Sequence, residues 1–257
     1  MAKLNYVSKG RGPTLVLSHA LGSDLHMWNE VASQLEAGFH VVRYDHPGHG
    51  QSPAIGGRYT VEQMADGAAE LIASLDHDEV HFIGLSLGGM VAQQIAVRHP
   101  QLVSSIVVAN SASAFDEVAR GMWRARIETV LNLGMPAIAD ATIKRWFAAE
   151  FRQHPERMDR IAQLRAVLEA TDARAYAACC EAMSRADLAG SNPRIACPAL
   201  VVAGALDEST TPAMAEAIWN SISGAELASL DTGHFSAVER PYDFAGLVAS
   251  FINRVNA

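Results

Sequence analysis

The sequence contains few cysteines, few basic residues and no long apolar run. Its 257 residues include only three cysteines, and a bridge between the adjacent Cys179 and Cys180 would be sterically awkward. The 20 lysines and arginines are outnumbered by 28 aspartates and glutamates, and the net charge of −8 disfavours a nucleic-acid partner. No apolar stretch has the length of a membrane span or of a signal peptide. We therefore expect reduced thiols, a cytoplasmic location, and no nucleic-acid or membrane partner.

The composition is that of a globular protein, and its charge is unevenly distributed. Hydrophobic residues make up 49% of the chain and charged residues 19%, which excludes a disordered or low-complexity protein. Residues 112–195 hold 12 of the 20 basic and 11 of the 28 acidic residues, so this segment carries a net charge of +1. The rest of the chain carries −9. The middle third therefore differs in character from the two segments that flank it.

Both flanks alternate short, apolar, β-branched runs with stretches of helical periodicity. Strands are predicted at 14–18, 40–44, 80–84, 105–109, 198–204 and 225–230, and helices at 61–76, 87–98, 213–222 and 239–254. Continuous apolar strands separated by helices indicate an α/β protein with a parallel sheet covered on both faces. Ligands of such sheets bind at the carboxyl ends of the strands. Catalytic residues are therefore sought directly after each strand.

The middle segment lacks strand-like runs. Its apolar residues recur at helical spacing, with Pro155 at a first-turn position and Asp172 as a helix cap. We therefore predict a helical cap at 112–195, inserted into an α/β core formed by 1–111 and 196–257.

A serine stands between a predicted strand and a predicted helix, in the motif Gly84-Leu85-Ser86-Leu87-Gly88. This order is typical of a nucleophile elbow, in which a sharp turn pushes the serine out from the sheet. The glycines are needed because side chains at these two positions would collide with neighbouring backbone. The alternative is an ordinary glycine-rich turn in which the serine only caps the helix.

A serine nucleophile needs a histidine base, which follows it in the chain order of this fold. Only His99, His154 and His234 come after Ser86. His99 ends the helix after the elbow, where a capping role suffices, and His154 lies in the predicted cap. His234 directly follows the last predicted strand. We therefore predict His234 as the general base.

The acid that orients the base is expected at the end of the penultimate strand. Asp207 occupies that position, and we predict that it is the acid. Its neighbour Glu208 could be exposed to solvent, and Asp231 could brace the loop that carries the histidine. An acid after the strand at 105–109 is excluded, because that strand is followed by an asparagine and a serine.

Stabilisation of an oxyanion requires two backbone N–H groups. Leu87 directly follows the serine, and Leu21 lies in the loop after the strand at 14–18, so these two amides are predicted to form the oxyanion hole. His19 in the same loop is assigned a structural role. The histidines of the loop at 45–52 have no cysteine or glutamate at metal-ligand spacing. A tight loop without a metal is therefore expected there.

These features resemble the α/β-hydrolase superfamily along nearly the whole chain, and within it the 3-oxoadipate enol-lactonases of aromatic catabolism. The likeness rests on LSHALGSDLHMW (17–28), VVRYDHPGHGQS (41–52), GLSLGGMVAQ (84–93), YAACCEAMSRADL (176–188) and PALVVAGALDESTTP (198–212). The resemblance implies an α/β-hydrolase fold, a mostly parallel central sheet flanked by helices and carrying a helical cap. It also implies a triad of Ser86, Asp207 and His234 that needs no cofactor.

Two departures from these lactonases bear on the substrate. The oxyanion loop has His19 and Ala20 where the lactonases have asparagine and serine, and the usual first strand is expected to be missing because only KLNYV precedes the strand at 14–18. Neither departure affects the triad. Both leave room for a different ester or lactone.

The cap is the relatively cationic part of an acidic protein, and an enol-lactone of this pathway carries a carboxylate that a cation could hold. The candidate cations near Trp123 and Trp146 are Arg124, Arg126, Lys144 and Arg145. The residues proposed to bind substrate are Trp28, Trp123, Arg124 and Trp146. The alternatives are that the cations solvate helix faces opposite acidic residues, and that the tryptophans belong to the core.

The sequence therefore predicts a serine hydrolase that opens a small lactone or ester, with 3-oxoadipate enol-lactone as the preferred substrate. Alternatives are a general carboxylesterase, another lactonase, a carbon–carbon bond hydrolase of ring-cleavage products and a serine perhydrolase. A catalytically silent receptor of the same fold is a different class of function, which an intact triad disfavours. The sequence leaves open whether the protein forms a homo-oligomer.

Overall fold

The computed structural model describes residues 3–75 and 79–257. Within them, one sheet contains seven strands: β1 (Tyr6–Lys9), β2 (Thr14–Ser18), β3 (His40–Tyr44), β4 (Val80–Leu85), β5 (Val103–Ala109), β6 (Ala199–Gly204) and β7 (Glu226–Leu230). The spatial order is β1-β3-β2-β4-β5-β6-β7. All neighbouring strands are parallel except β1, which runs antiparallel to β3. The predicted α/β-hydrolase architecture, with a mostly parallel sheet flanked by helices, is confirmed.

Eleven α-helices accompany the sheet in the described residues. They are α1 (Asn29–Leu35), α2 (Val61–Ala73), α3 (Leu87–Arg98), α4 (Glu117–Leu133), α5 (Pro136–Trp146), α6 (Ala149–Gln153), α7 (Met158–Ala170), α8 (Ala173–Arg185), α9 (Pro212–Ser221), α10 (Ser236–Glu239) and α11 (Pro241–Val255). The helix predicted at 61–76 ends at Ala73, and residue 76 lies outside the described residues. The helix predicted at 239–254 corresponds to α11, which starts at Pro241, and Glu239 is the last residue of α10.

The six predicted strands are all present, and one further strand was missed. The expectation that the first strand is missing is wrong, since Tyr6–Lys9 pairs with β3. This strand lies at the edge of the sheet, and three of its four residues are exposed. An exposed edge strand has little apolar patterning, so the periodicity of the sequence could not reveal it.

The central strands of the sheet lie in the hydrophobic core. Every residue of β2, β4 and β6 is buried, and since successive side chains point to opposite faces, both faces of the sheet are covered. α2 packs against α3, and α1 packs against α11. None of the helices within the described ranges combines the length and the apolar character needed to cross a membrane.

Helices α4 to α8 lie between β5 and β6. α8 packs against α4, and α5 packs against both α4 and α7. The base of this segment is closed by a bridge between Ala114 and Asp187 and by a 2.8 Å hydrogen bond from the Leu188 N–H to the Ser113 carbonyl. The boundaries predicted for the cap, at residues 112 and 195, stay a prediction. We call the helical segment from α4 to α8 the cap.

We expect Gly246→Ala to increase the free energy of unfolding by about 0.5–1 kcal/mol, because glycine in a helix costs more conformational entropy than alanine. Gly246 lies on an exposed position of α11, and a Cβ there would contact nothing within 4 Å. Urea denaturation measures the change. A decrease in the unfolding free energy would contradict this description of α11.

Candidate active site

Ser86 occupies a strained turn between β4 and α3. Its backbone has φ 58° and ψ −112°, in a region that residues other than glycine rarely adopt. A Cβ on Gly84 would lie 1.9 Å from the Gly88 carbonyl oxygen, and a Cβ on Gly88 would lie 2.1 Å from the Ser18 carbonyl oxygen. Only glycine fits at these two positions. The predicted collision with neighbouring backbone is confirmed, and the turn raises the serine hydroxyl above the sheet.

A chain of hydrogen bonds joins Ser86 to His234 and His234 to Asp207. These residues lie at the carboxyl ends of β4, β7 and β6, respectively. The distance from Ser86 Oγ to His234 Nε2 is 2.9 Å, and from His234 Nδ1 to Asp207 Oδ2 it is 2.8 Å. An ionised carboxylate can only accept, so the Nδ1–H donates to Asp207. The Nε2 atom is then free to accept the hydroxyl proton of Ser86.

Asp207 is buried but remains ionised. Burial acts to raise its pKa, but the charge of His234 and hydrogen bonds from His234, the Thr210 N–H and the Asn110 amide outweigh it and lower the pKa to about 2. The Thr210 N–H lies 3.0 Å from Oδ1, and the Asn110 Nδ2 lies 3.1 Å from Oδ2. Asn110 follows β5. In the sequence it served only to exclude an acid at that position, and its contact with Asp207 was missed.

The other candidate acids and bases lie elsewhere. His99 contacts Asp66 at 2.8 Å on the protein surface, and His154 caps the end of α6. Asp231 is exposed. Glu208 is exposed on the rim of the cavity described below.

The two backbone amides proposed for the oxyanion hole belong to different elements, and their role stays a prediction. Leu87 is the first residue of α3, and the first N–H groups of a helix have no partner within the helix. Leu21 lines the same cavity as Ser86. Its loop is held by His19, whose Nδ1–H donates to the Ala20 carbonyl at 2.8 Å and whose Nε2 accepts from the His46 N–H at 2.9 Å. Burial lowers the pKa of His19, so the ring is neutral and structural.

The loop after β3 is organised by Asp45. Its carboxylate accepts hydrogen bonds from the backbone N–H groups of Leu25 and Gln51, at 2.8 and 2.9 Å, and from the Asn5 side chain at 2.8 Å. Among the residues in 3–75 and 79–257, no three histidines, cysteines or acids are grouped so that they could hold a metal ion.

A cavity of about 330 Å³ opens above Ser86 and His234, between the sheet and the cap. Most of its wall is apolar and comes from the cap. The apolar and aromatic side chains that line it include Phe115, which precedes α4, and from the cap Val118, Met122, Trp123, Trp146, Tyr176 and Met183. The charged side chains of the lining, apart from His234, are two acids, Asp116 and Glu208, and two cations, Arg126 and Arg145. The cavity is therefore suited to a small, largely apolar molecule that carries a charged group.

Of the four residues proposed to bind substrate, Trp123 and Trp146 line this cavity, whereas Trp28 and Arg124 do not. Trp28 is fully buried and packs against Phe244, with 5.7 Å between ring centroids, so it belongs to the core. Arg124 points to solvent and pairs with Glu117 at 2.8 Å. Both proposals are corrected accordingly.

Arg126, and not the chosen Arg124, is the arginine of α4 that lines the cavity. It lies two residues from Arg124, on the opposite face of α4, and shares the cavity side with Ala119, Met122 and Trp123 at spacings of three and four residues. This helical spacing, started from Trp123, could have identified it. Its guanidinium donates to the hydroxyls of Tyr176, at 2.7 Å, and Thr142.

No acid neutralises Arg126 within the part of the chain that the structure describes, since none of the ion pairs there includes it. The guanidinium also lies over the Tyr176 ring, 5.6 Å from its centroid. A half-buried cation held by neutral partners is available to an anionic ligand.

The loop that carries His234 is connected to the cap by hydrogen bonds. The buried Glu239 accepts hydrogen bonds from the N–H groups of Gly233 and Ala148 on one carboxylate oxygen, each at 3.0 Å. The Phe235 N–H donates to the Trp146 carbonyl at 2.9 Å, and the two rings stack with centroids 4.2 Å apart. Burial raises the pKa of Glu239, and the two hydrogen bonds partly offset this effect.

Comparison with known proteins agrees with this architecture. The 3-oxoadipate enol-lactonase 2 of Acinetobacter baylyi is 34% identical over 98% of this chain and 94% of its own length. The crystal structure of an enol-lactonase from Burkholderia xenovorans superposes with a TM-score of 0.93 at 35% identity, covering 97% of this chain and 96% of that one. A thermophilic esterase from Thermogutta terrifontis has a TM-score of 0.91 at 28% identity, with 99% and 94% of the two chains covered.

The family described as alpha/beta hydrolase fold matches residues 13–241. This range includes the elbow, both partner loops and the whole cap. The chain therefore belongs to the α/β-hydrolase family and is a hydrolase.

Proposed function

We propose that the protein hydrolyses a small lactone or ester through an acyl-enzyme on Ser86. The observation that carries the proposal is the hydrogen-bonded sequence from Ser86 through His234 to Asp207, which opens into a cavity of suitable size. A serine hydroxyl becomes a nucleophile when a neutral imidazole, held by a carboxylate, accepts its proton.

In the proposed mechanism, Ser86 Oγ attacks the substrate carbonyl carbon while His234 Nε2 takes the hydroxyl proton. The N–H groups of Leu87 and Leu21 stabilise the oxyanion. The single bond between the carbonyl carbon and the leaving oxygen then breaks, and His234 returns the proton to that oxygen. Water, deprotonated by His234, attacks the acyl group, and Ser86 leaves with the proton to give a carboxylic acid.

The substrate that we favour is 3-oxoadipate enol-lactone. Two enol-lactonases are among the proteins that this chain resembles. Arg126 supports the choice, because its unneutralised guanidinium faces the cavity and matches the carboxylate of this substrate. When the ring opens, the leaving enol becomes a ketone, and this makes reclosure unfavourable.

A general carboxylesterase is the second candidate. The mostly apolar cavity wall and the likeness to a thermophilic esterase favour it. Simple esters need no cation in the cavity, so the two candidates differ in the role of Arg126.

We expect purified protein to hydrolyse 3-oxoadipate enol-lactone with a kcat/KM at least about tenfold above that for p-nitrophenyl acetate. Ultraviolet absorbance follows loss of the enol-lactone. Ser86→Ala should lower both activities by at least about a thousandfold, because a triad without its nucleophile retains little catalysis. Ser23→Ala is the matched control, since this buried hydroxyl makes no hydrogen bond among the described residues. A preference for the simple ester by orders of magnitude would reject the lactonase assignment.

We expect kcat/KM to fall on acidification by about tenfold per pH unit, with the slope of a single proton. A protonated His234 cannot accept the Ser86 proton. Asp207 does not contribute to this slope above pH 4, because its pKa is lowered to about 2. Steady-state kinetics between pH 4 and 9 measure the profile. A rate that is flat down to pH 4 would exclude His234 as the base.

We expect Arg126→Gln to raise KM for the enol-lactone about 10- to 100-fold, because the substrate carboxylate loses one of the two arginines that line the cavity. Hydrolysis of neutral p-nitrophenyl acetate should change by less than about threefold. Arg124→Gln, which removes only an exposed ion pair, is the matched control and should resemble the wild type for both substrates. Equal losses for both substrates in Arg126→Gln would show that this arginine does not select an anionic substrate.

A further inference from the structure

Asn110 lies at the end of β5 and connects the two loops that carry Asp207 and His234. Its Nδ2 donates to Asp207 Oδ2 at 3.1 Å and to the Gly233 carbonyl at 3.2 Å. Its Oδ1 accepts a hydrogen bond from the Ser236 hydroxyl at 2.5 Å. The side chain therefore contacts the acid itself and the residues on both sides of His234.

The orientation of this amide follows from its partners. A carboxylate and a backbone carbonyl can only accept, so the NH₂ group must face Asp207 and Gly233. The residue is buried, and its backbone N–H donates to the Val202 carbonyl at 2.9 Å. Its φ of 45° is left-handed, a conformation that asparagine and aspartate adopt more readily than most side chains. Position and residue type are thus tightly defined, although the side chain does not line the cavity.

We propose that Asn110 is a positioning residue for the reaction, whose amide NH₂ holds the Asp207 carboxylate and the His234 loop in register with Ser86. The inference rests on the proposed function, because it assigns Asp207 and His234 their roles in the triad. Without the NH₂ group, the Asp207 carboxylate keeps its hydrogen bonds from Ser209 and Thr210, but the link between Asp207 Oδ2 and the Gly233 carbonyl is lost. The loop that carries His234 can then shift relative to Asp207 and Ser86. The chemical step then suffers, while the cavity that binds the substrate is unchanged.

Replacement by aspartate separates this role from simple packing. Asn110→Asp keeps the size, the backbone preference and the acceptor for Ser236, but it exchanges the donor for a second carboxylate beside Asp207. Two carboxylates at this distance cannot both ionise easily, and at lower pH they share a proton that restores a donor between them. The other titratable groups that face Asp207 are His234 and, without direct contact, Glu239.

The test compares Asn110→Gly and Asn110→Asp with the wild type, using p-nitrophenyl acetate between pH 5 and 9. Asn110→Gly removes the side chain without strain at positive φ, and we expect kcat to fall about 10- to 100-fold with KM changed less than about threefold. Its activity relative to the wild type should not vary with pH. For Asn110→Asp, the relative activity should decline as pH rises, because the shared proton and its hydrogen bond are lost.

Thr232→Val is the matched control. Thr232 lies in the loop that carries His234, and its buried hydroxyl makes no hydrogen bond among the described residues. Thermal unfolding of each variant records its stability. The inference is overturned if Asn110→Gly stays within twofold of the wild type, or if both variants lose activity only in proportion to lost folded protein with no pH dependence in Asn110→Asp. An inactive wild type, or an active Ser86→Ala, would instead reject the proposed function.

Discussion

The strained backbone at Ser86 is the constraint on which the site depends. A left-handed serine is tolerated there because Gly84 and Gly88 allow neighbouring backbone to approach within distances that no side chain permits. The turn lifts the hydroxyl to the carboxyl edge of the sheet. The loops after β6 and β7 reach the same edge because the strands are parallel, and this brings Asp207 and His234 into hydrogen-bonding range.

The cap contributes to the cavity and also contacts the loop that carries His234. It supplies most of the apolar wall of the cavity, and Arg126 gives that wall a cation. Through Glu239, which bonds both Gly233 and Ala148, the cap is joined to the loop that carries the histidine. The cavity wall and the loop that carries His234 are therefore joined by hydrogen bonds. Residues 112–195, which include the cap, carry a net charge of +1 and the rest of the chain carries −9, so the cap is the less acidic part of the molecule.

Sequence patterns predict those features of the fold and the site that depend on residues close together in the sequence. The buried strands were found because they are continuous apolar runs, and Ser86 and Asp207 were found because each follows such a run. His234 was found because it follows the last strand and because the other two histidines after Ser86 lie in unsuitable places. The edge strand β1 escaped because it is exposed. Trp28 and Arg124 were misplaced because composition does not show which face of a helix points inwards. Asn110 and Glu239 were missed because the contact of Asn110 with Asp207 and that of Glu239 with Ala148 each span more than 90 residues of sequence and exist only in the folded protein.

The central claim is that His234 and Asp207 make Ser86 a nucleophile, and covalent labelling tests it most directly. A fluorophosphonate should add one group per molecule, detected by intact mass, and peptide mapping should place it on Ser86. Labelling should disappear in Ser86→Ala, which is expected to remain folded. A folded wild-type protein that takes up no label, or a label on another residue, would contradict the account.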